Sequence, residues 1–202
     1  MGCVFSGLGW PRRTSRDLEV PELLLPALAL STQQQQLLTE SWRLIQEDIA
    51  KVGVIIFIRL FETHPECKDV FFLFRDVDDL DGLRRSKELR AHGLRVLSFV
   101  EKSIARLDNV TRLEELALKL GRSHYRYNAP PRYYQYVGME FISAVRPILK
   151  DKWTPDVEEG WKGLFTYICA VMEAGYQEEE RKCLSNKMGK TKPLEGTQAI
   201  TV

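Results

Sequence analysis

The chain has 202 residues, and its 29 basic and 28 acidic side chains leave a formal net charge of +1. Such a balanced chain lacks the basic surface of nucleic-acid-binding proteins, so we expect no nucleic-acid partner. No run reaches the ~18 apolar residues of a transmembrane helix, and the first residues do not form a signal peptide. With 44% hydrophobic residues, the chain should bury one core, in the cytosol.

Residues 1–30 contain three prolines and little helical periodicity, which predicts an extended arm outside the core. The arm begins Met1-Gly2-Cys3-Val4-Phe5-Ser6, which matches the acylation pattern M-G-x-x-x-[ST]. Removal of the first methionine would expose Gly2 for N-myristoylation, and Cys3 beside it is a candidate for S-palmitoylation. Two acyl chains anchor a protein stably where one binds marginally. We therefore expect a peripheral, lipid-anchored protein at the cytoplasmic face of the cell membrane, the alternative being a chance match.

Two amphipathic helices are predicted after the arm. Ser31 and Gln34 have the spacing of a capping box, which starts the first helix at residue 31. Two stripes of apolar residues follow at helical spacing: Leu38, Trp42, Ile45 and Ile49, then Val52, Ile55, Ile56, Leu60 and Phe61. Pro65 ends the second helix, because the residue before a proline is pushed out of helical geometry. His64 therefore lies at a helix end, where we expect it to be exposed or capping.

The next two predicted helices each carry one histidine on an apolar stripe. The first stripe contains His92 together with Leu89, Val96, Phe99, Val100, Ile104 and Leu107. Thr111 and Glu114 have capping-box spacing at the start of the second helix. Its stripe ends at His124 after Leu113, Leu116, Ala117 and Leu120. Both imidazoles should point inward and could clamp one buried iron; the alternative is two core histidines satisfied by backbone carbonyls.

Two further helical patterns complete the body of the chain. The apolar residues of the first are Tyr134, Val137, Phe141, Val145 and Ile148. Thr154 and Pro155 supply an N-cap and a first-turn proline for the second, whose stripe is Val157, Trp161, Leu164, Phe165, Ile168 and Met172. No strand-like alternation competes, so the sequence predicts an all-α domain over residues 31–176. The polar residues 177–202 are expected to form a disordered tail.

The four cysteines form no C-x-x-C pair, so neither a zinc ribbon nor a disulfide framework is predicted. A bridge between Cys67 and Cys169 stays open at this point. The chain also lacks C-x-x-C-H, the haem-attachment motif. Any haem would therefore be held by coordination and packing, without thioether bonds.

The order of these features in residues 31–176 resembles the globin family. The residues that carry the resemblance are Trp42, Pro65, Phe71, His92 and the run Leu120-Gly121-Arg122-Ser123-His124. The chain looks closest to globin X, with neuroglobin the nearest familiar relative, and the acylation motif fits globin X in particular. The resemblance implies a globin fold whose helices pack around one haem b.

By this resemblance, His124 is the proximal ligand of the haem iron and His92 the distal one. It also implies that Phe71 packs on the porphyrin and that Val96 and Phe57 wall the distal side. Two neutral imidazoles would give a low-spin, six-coordinate iron that passes single electrons.

Arg95 lies three residues beyond His92 and could reach a haem propionate, because a guanidinium matches carboxylate geometry. The alternative is an ordinary surface arginine.

The implied function is reversible binding of oxygen or nitric oxide after displacement of His92. The resemblance also implies a role in electron transfer with an unknown redox partner, or in oxygen sensing. Bulk oxygen carriage suits an anchored six-coordinate globin poorly. An enzymatic alternative is nitrite reduction, or reaction of nitric oxide with oxygen, at iron held by His124. A third possibility is a helical adaptor without haem, displayed on membranes.

Overall fold

The protein is seen in a computed structural model that describes residues 25–77 and 79–188. In that part of the chain there are seven α-helices, four short 3-10 segments and no strand. The helices are α1 (Thr32–Ile45), α2 (Ile49–Thr63), α3 (Leu80–Arg85), α4 (Lys87–Ile104), α5 (Val110–Arg126), α6 (Tyr134–Leu149) and α7 (Pro155–Met188). The all-α prediction is confirmed. The acylation residues Gly2 and Cys3 lie outside the described residues.

Helix starts follow the predicted caps at two of three positions. Ser31 and Gln34 form the capping box of α1, with bonds of 3.0 and 3.1 Å, and the Thr154 hydroxyl accepts from the Val157 amide at the start of α7. The predicted cap at Thr111 is wrong, because Asn109 caps α5 instead and accepts from the Arg112 amide at 3.2 Å. Asparagine competes better than threonine for this position.

The core is centred on Trp161 of α7, which is fully buried. Its ring lies 4.7 Å from Phe141 of α6 and 6.5 Å from Trp42 of α1. The Trp161 indole N–H donates to the Ser41 hydroxyl at 3.2 Å, so its polar atom is satisfied inside the core. These contacts join α1, α6 and α7 into one packed layer.

Two glycine contacts set the positions of α4 and α5. A Cβ atom added to Gly53 of α2 would lie 2.9 Å from the carbonyl carbon of Gly93, so α2 and α4 cross in backbone contact beside His92. In the same way, a Cβ on Gly121 of α5 would overlap the Met172 carbonyl oxygen of α7. Within the described residues α4 and α5 do not pack along each other. We call the gap between them the slot.

One short helix was not predicted from the sequence, and two other segments differ from the prediction. The acidic stretch before α4 contains a short helix, α3, which Asp79 caps by accepting from the Asp81 amide. Residues 25–30 form no helix or strand, but their leucines pack against the core instead of lying outside it as predicted.

The disordered tail predicted from residue 177 is wrong for 177–188, because α7 continues to Met188. Ion pairs with α5 stabilise these turns, and their polar composition had suggested disorder. No helix in the described part of the chain is long and apolar enough to span a membrane.

Candidate functional site

His124 lies near the C-terminal end of α5, and the ring of Tyr134 meets it edge-on at 5.3 Å. Its Nδ1 atom donates to the Leu120 carbonyl oxygen at 2.9 Å. A carbonyl oxygen can only accept, so this bond fixes the tautomer and leaves the Nε2 lone pair free. Burial lowers the pKa of His124, and the bond to Leu120 only partly opposes that effect. The ring is therefore neutral at pH 7 and suited to bind a metal through Nε2.

The backbone around His124 is held by a Schellman motif at the end of α5. Asn128 has a positive φ of 55°, a conformation that asparagine tolerates better than most residues. The Ala129 amide donates to the His124 carbonyl at 2.9 Å, and the Asn128 amide donates to the Tyr125 carbonyl at 3.0 Å. These two bonds hold the backbone that follows His124 in one conformation.

His92 lies on α4, half-buried, with its ring edge-on to two phenylalanines. The ring centroids are 4.8 Å from Phe57 and 5.1 Å from Phe71. Burial, helped by the nearby Arg95 and His124, lowers the pKa of His92 to about 4. The ring is neutral at pH 7. His92 lies on α4 and His124 on α5, the two helices that border the slot.

Arg95 contacts His92 directly, with Nη2 3.3 Å from Nδ1. A guanidinium can only donate, so Nδ1 accepts and the proton of the neutral ring is on Nε2. In this tautomer His92 can donate a hydrogen bond but cannot bind a metal through Nε2. Ligation through Nε2 requires the proton to move to Nδ1 and the Arg95 bond to break. The predicted contact of Arg95 with a propionate is not tested by this structure and stays a prediction.

The predicted wall residues lie beside His92. Phe57 is fully buried, while Phe71 and Val96 are half-buried. Val96 follows His92 by one helical turn and so shares its face of α4. Sequence reasoning did not assign Tyr134 to the site. It was visible only as one apolar position of α6, yet it packs on His124 and donates its hydroxyl to the Ala129 carbonyl.

His64 and the cysteines in the described part of the chain take no part in this site. His64 ends α2, as predicted, and stacks on Tyr136 at 3.7 Å. The two cysteines whose pairing was left open, Cys67 and Cys169, are buried free thiols. Burial raises their pKa values to about 11 and about 12, so both are protonated at neutral pH.

The donor set of the slot fits a haem. Two neutral imidazoles come from separate helices, and aromatic and aliphatic side chains surround them. Among the described residues, no group of three or more His, Cys, Asp or Glu side chains is placed to hold a metal ion. Two imidazoles alone leave a transition metal short of ligands. A metal that brings its own planar ring of nitrogen donors completes the set, so the slot fits an all-helical haem protein.

Comparison with known proteins agrees with this class. Residues 54–172 match the family model described as Globin, and the chain belongs to the globin family. It is 25% identical over 158 residues to cytoglobin-1 of Oryzias latipes, covering 78% of this chain and 89% of the relative. It is 26% identical over 147 residues to neuroglobin of Tetraodon nigroviridis, covering 73% and 92%. Family membership implies that the chain binds haem and a small gas such as oxygen.

A solved structure shows the same fold. The hexacoordinated haem protein from an anhydrobiotic tardigrade superposes with a TM-score of 0.69, covering 74% of this chain and 97% of that one. The sequences are 21% identical, so the likeness speaks for the fold alone. The globin fold predicted for this chain is confirmed.

Proposed function

We propose that this globin holds haem b between His124 as proximal ligand and His92 as distal ligand, in a six-coordinate resting state. The observation that carries the proposal is the pair of neutral imidazoles on α4 and α5, at the two sides of one slot. The haem supplies an iron that changes oxidation state and takes up diatomic gases. The tardigrade protein of this fold is hexacoordinated, so the fold is compatible with the state proposed here.

The residues of the distal side support reversible gas binding. His92 must leave the iron to admit oxygen or nitric oxide. Its Nε2–H is then free to donate to the ligand, while Arg95 holds Nδ1 as it does in the structure. Phe57 and Phe71 exclude water from this side of the slot. We assign to the protein a redox role, by electron exchange or oxygen sensing, because two axial imidazoles favour electron transfer over gas storage.

The visible spectrum of the dithionite-reduced, ligand-free protein tests the proposal. We expect sharp, split low-spin bands in the parent protein and a broad five-coordinate spectrum in His92→Ala. His124→Ala should bind haem weakly, because the ring whose tautomer is fixed for ligation is gone. A five-coordinate spectrum in the parent would refute the resting state that we propose while leaving haem binding intact.

We further propose that the protein is attached to the cytoplasmic face of the cell membrane through myristoyl-Gly2 and palmitoyl-Cys3. The support is the N-terminal motif, which also favours globin X within the family. We expect Gly2→Ala to move the protein from the membrane to the soluble fraction in cells. Cys3→Ser should leave only weak, reversible binding, because one acyl chain anchors marginally. If Gly2→Ala stayed in the membrane fraction, the proposed lipid anchor would be excluded.

Nitrite reduction to nitric oxide is a second candidate function, favoured by one observation. The guanidinium of Arg95 places a positive charge beside His92, where an anion would enter. The reaction is expected to be limited by the departure of His92. Stopped-flow mixing of the ferrous protein with excess nitrite should therefore oxidise it faster than buffer alone, and faster still in His92→Ala. Equal rates with and without nitrite would remove this candidate.

A further inference from the structure

The last turns of α7 contact α5 on either side of His124. We call residues 176–188 the α7 extension. Arg122 donates through Nε and Nη2 to Oε2 of Glu178, at 2.9 and 2.6 Å. Arg126 donates through the same two atoms to Oε1 of Glu179, at 3.0 and 2.8 Å. One arginine precedes His124 by two residues and the other follows it by two. The two ion pairs therefore lie on either side of His124 along α5.

Two further contacts join the extension to α5. The rings of Tyr125 and Tyr176 meet edge-on at 5.2 Å. Just before the extension, Gly175 touches the Leu118 backbone so closely that a Cβ atom would overlap the carbonyl oxygen. The backbones of α5 and α7 are therefore in contact at Leu118, before His124. The ion pairs extend the contact between the two helices to Arg126, after His124.

No other helix could hold α5 in the same way. Within the described residues, α7 is the only element that packs extensively on α5, and α4 lies across the slot. A helix with a single packing partner and an open face is the part of a fold most prone to local unfolding. Before haem enters the slot, the order of α5 thus depends on its contacts with α7.

We propose that the α7 extension holds α5 in its folded position before haem binds, which makes Glu178 and Glu179 positioning residues for His124. The consequence for haem binding rests on His124 being the proximal ligand, as proposed above. A site that is already ordered loses little conformational entropy when it binds, so its affinity is higher. Each pair uses two nitrogen donors and an ionised acceptor, the stronger type of hydrogen bond.

The test compares the full-length protein with the double variant Glu178→Gln/Glu179→Gln. The readout is amide hydrogen exchange of residues 110–126 in the haem-free protein. We expect exchange in the variant to be about threefold to tenfold faster in α5, the range for two partly exposed ion pairs. Exchange in α2 should be unchanged in the same sample. Transfer of haem to an excess of an acceptor protein should accelerate by a similar factor.

Glu180→Gln is the control for each single exchange, because it removes one negative charge from the same turn and Glu180 is exposed without an ion pair in the described structure. It should behave as the parent. Exchanging the charges of one pair, with Arg126→Glu and Glu179→Arg together, should restore slow exchange relative to either single variant.

Three results would overturn the proposal. They are unprotected α5 amides in the haem-free parent, equal effects of the double variant and Glu180→Gln, and equal acceleration in α2 and α5. The exchange data do not depend on the axial ligands. Faster exchange in α5 with unchanged haem transfer would therefore refute His124 as the proximal ligand while leaving the ordering of α5 by α7 in place.

Discussion

Replacement of His92 by alanine is expected to raise the rate and apparent affinity of oxygen or carbon monoxide binding by about 100-fold. The factor follows if His92 occupies the iron in about 99% of ferrous molecules, because apparent affinity scales with the competent fraction. Removing the ring also opens the space beside Phe57 and Phe71 that it fills in the structure. Oxygen or carbon monoxide can then bind without displacing the His92 side chain.

Rapid mixing over a range of ligand concentrations measures this effect. In the parent, the observed rate should level off at high ligand concentration, where departure of His92 becomes limiting. In His92→Ala it should rise in proportion to concentration. His64→Ala is the matched control, because His64 stacks on Tyr136 away from the slot and should not alter the curve. A linear dependence in the parent would show that His92 does not ligate the iron at rest.

Both histidines could be found from the sequence because each lies on a regular amphipathic helix. Helical spacing placed His92 and His124 on buried faces, and this needs no knowledge of other segments. Proline and capping signals likewise located the end of α2 and the starts of α1 and α7. Interactions between residues within one or two helical turns were sufficient to predict these features.

The tautomers of the two histidines could not be predicted. The i, i+3 spacing of His92 and Arg95 made them neighbours, but several rotamers of a long arginine satisfy that spacing. Only the structure shows the guanidinium on Nδ1 of His92 and the Leu120 carbonyl on Nδ1 of His124. The result is an asymmetric pair, in which His124 is ready to ligate and His92 is ready to donate.

The continuation of α7 was missed for a different reason. Its stabilising partners are distant in sequence, with Arg122 and Glu178 separated by 56 residues. Its polar, charged composition is therefore typical of disorder in a local window, although Glu178 and Glu179 have partners on α5. Long-range ion pairs leave no periodic signal.

Gly121→Ala is expected to lower the free energy of unfolding by about 2–3 kcal/mol, which is large for the addition of one methyl group. The methyl would overlap the Met172 carbonyl oxygen, a backbone atom that cannot rotate away. Alanine gains up to about 1 kcal/mol over glycine in helix propensity, and the figure above is net of that gain. The two helices must therefore separate where α5 leads into His124.

Thermal unfolding of the haem-bound protein should show a Tm lower by about 4–10 °C, the range for a domain of this size. Haem loss should accelerate in the same variant, because Gly121 lies about one helical turn before His124, the proposed proximal ligand. Gly163→Ala in α7 is the matched control, since its Cβ would meet only the flexible end of Leu30 at 3.2 Å. That variant should be neutral or slightly stabilised. Equal melting temperatures for the two variants would mean that α5 and α7 are not in the backbone contact on which the position of His124 depends.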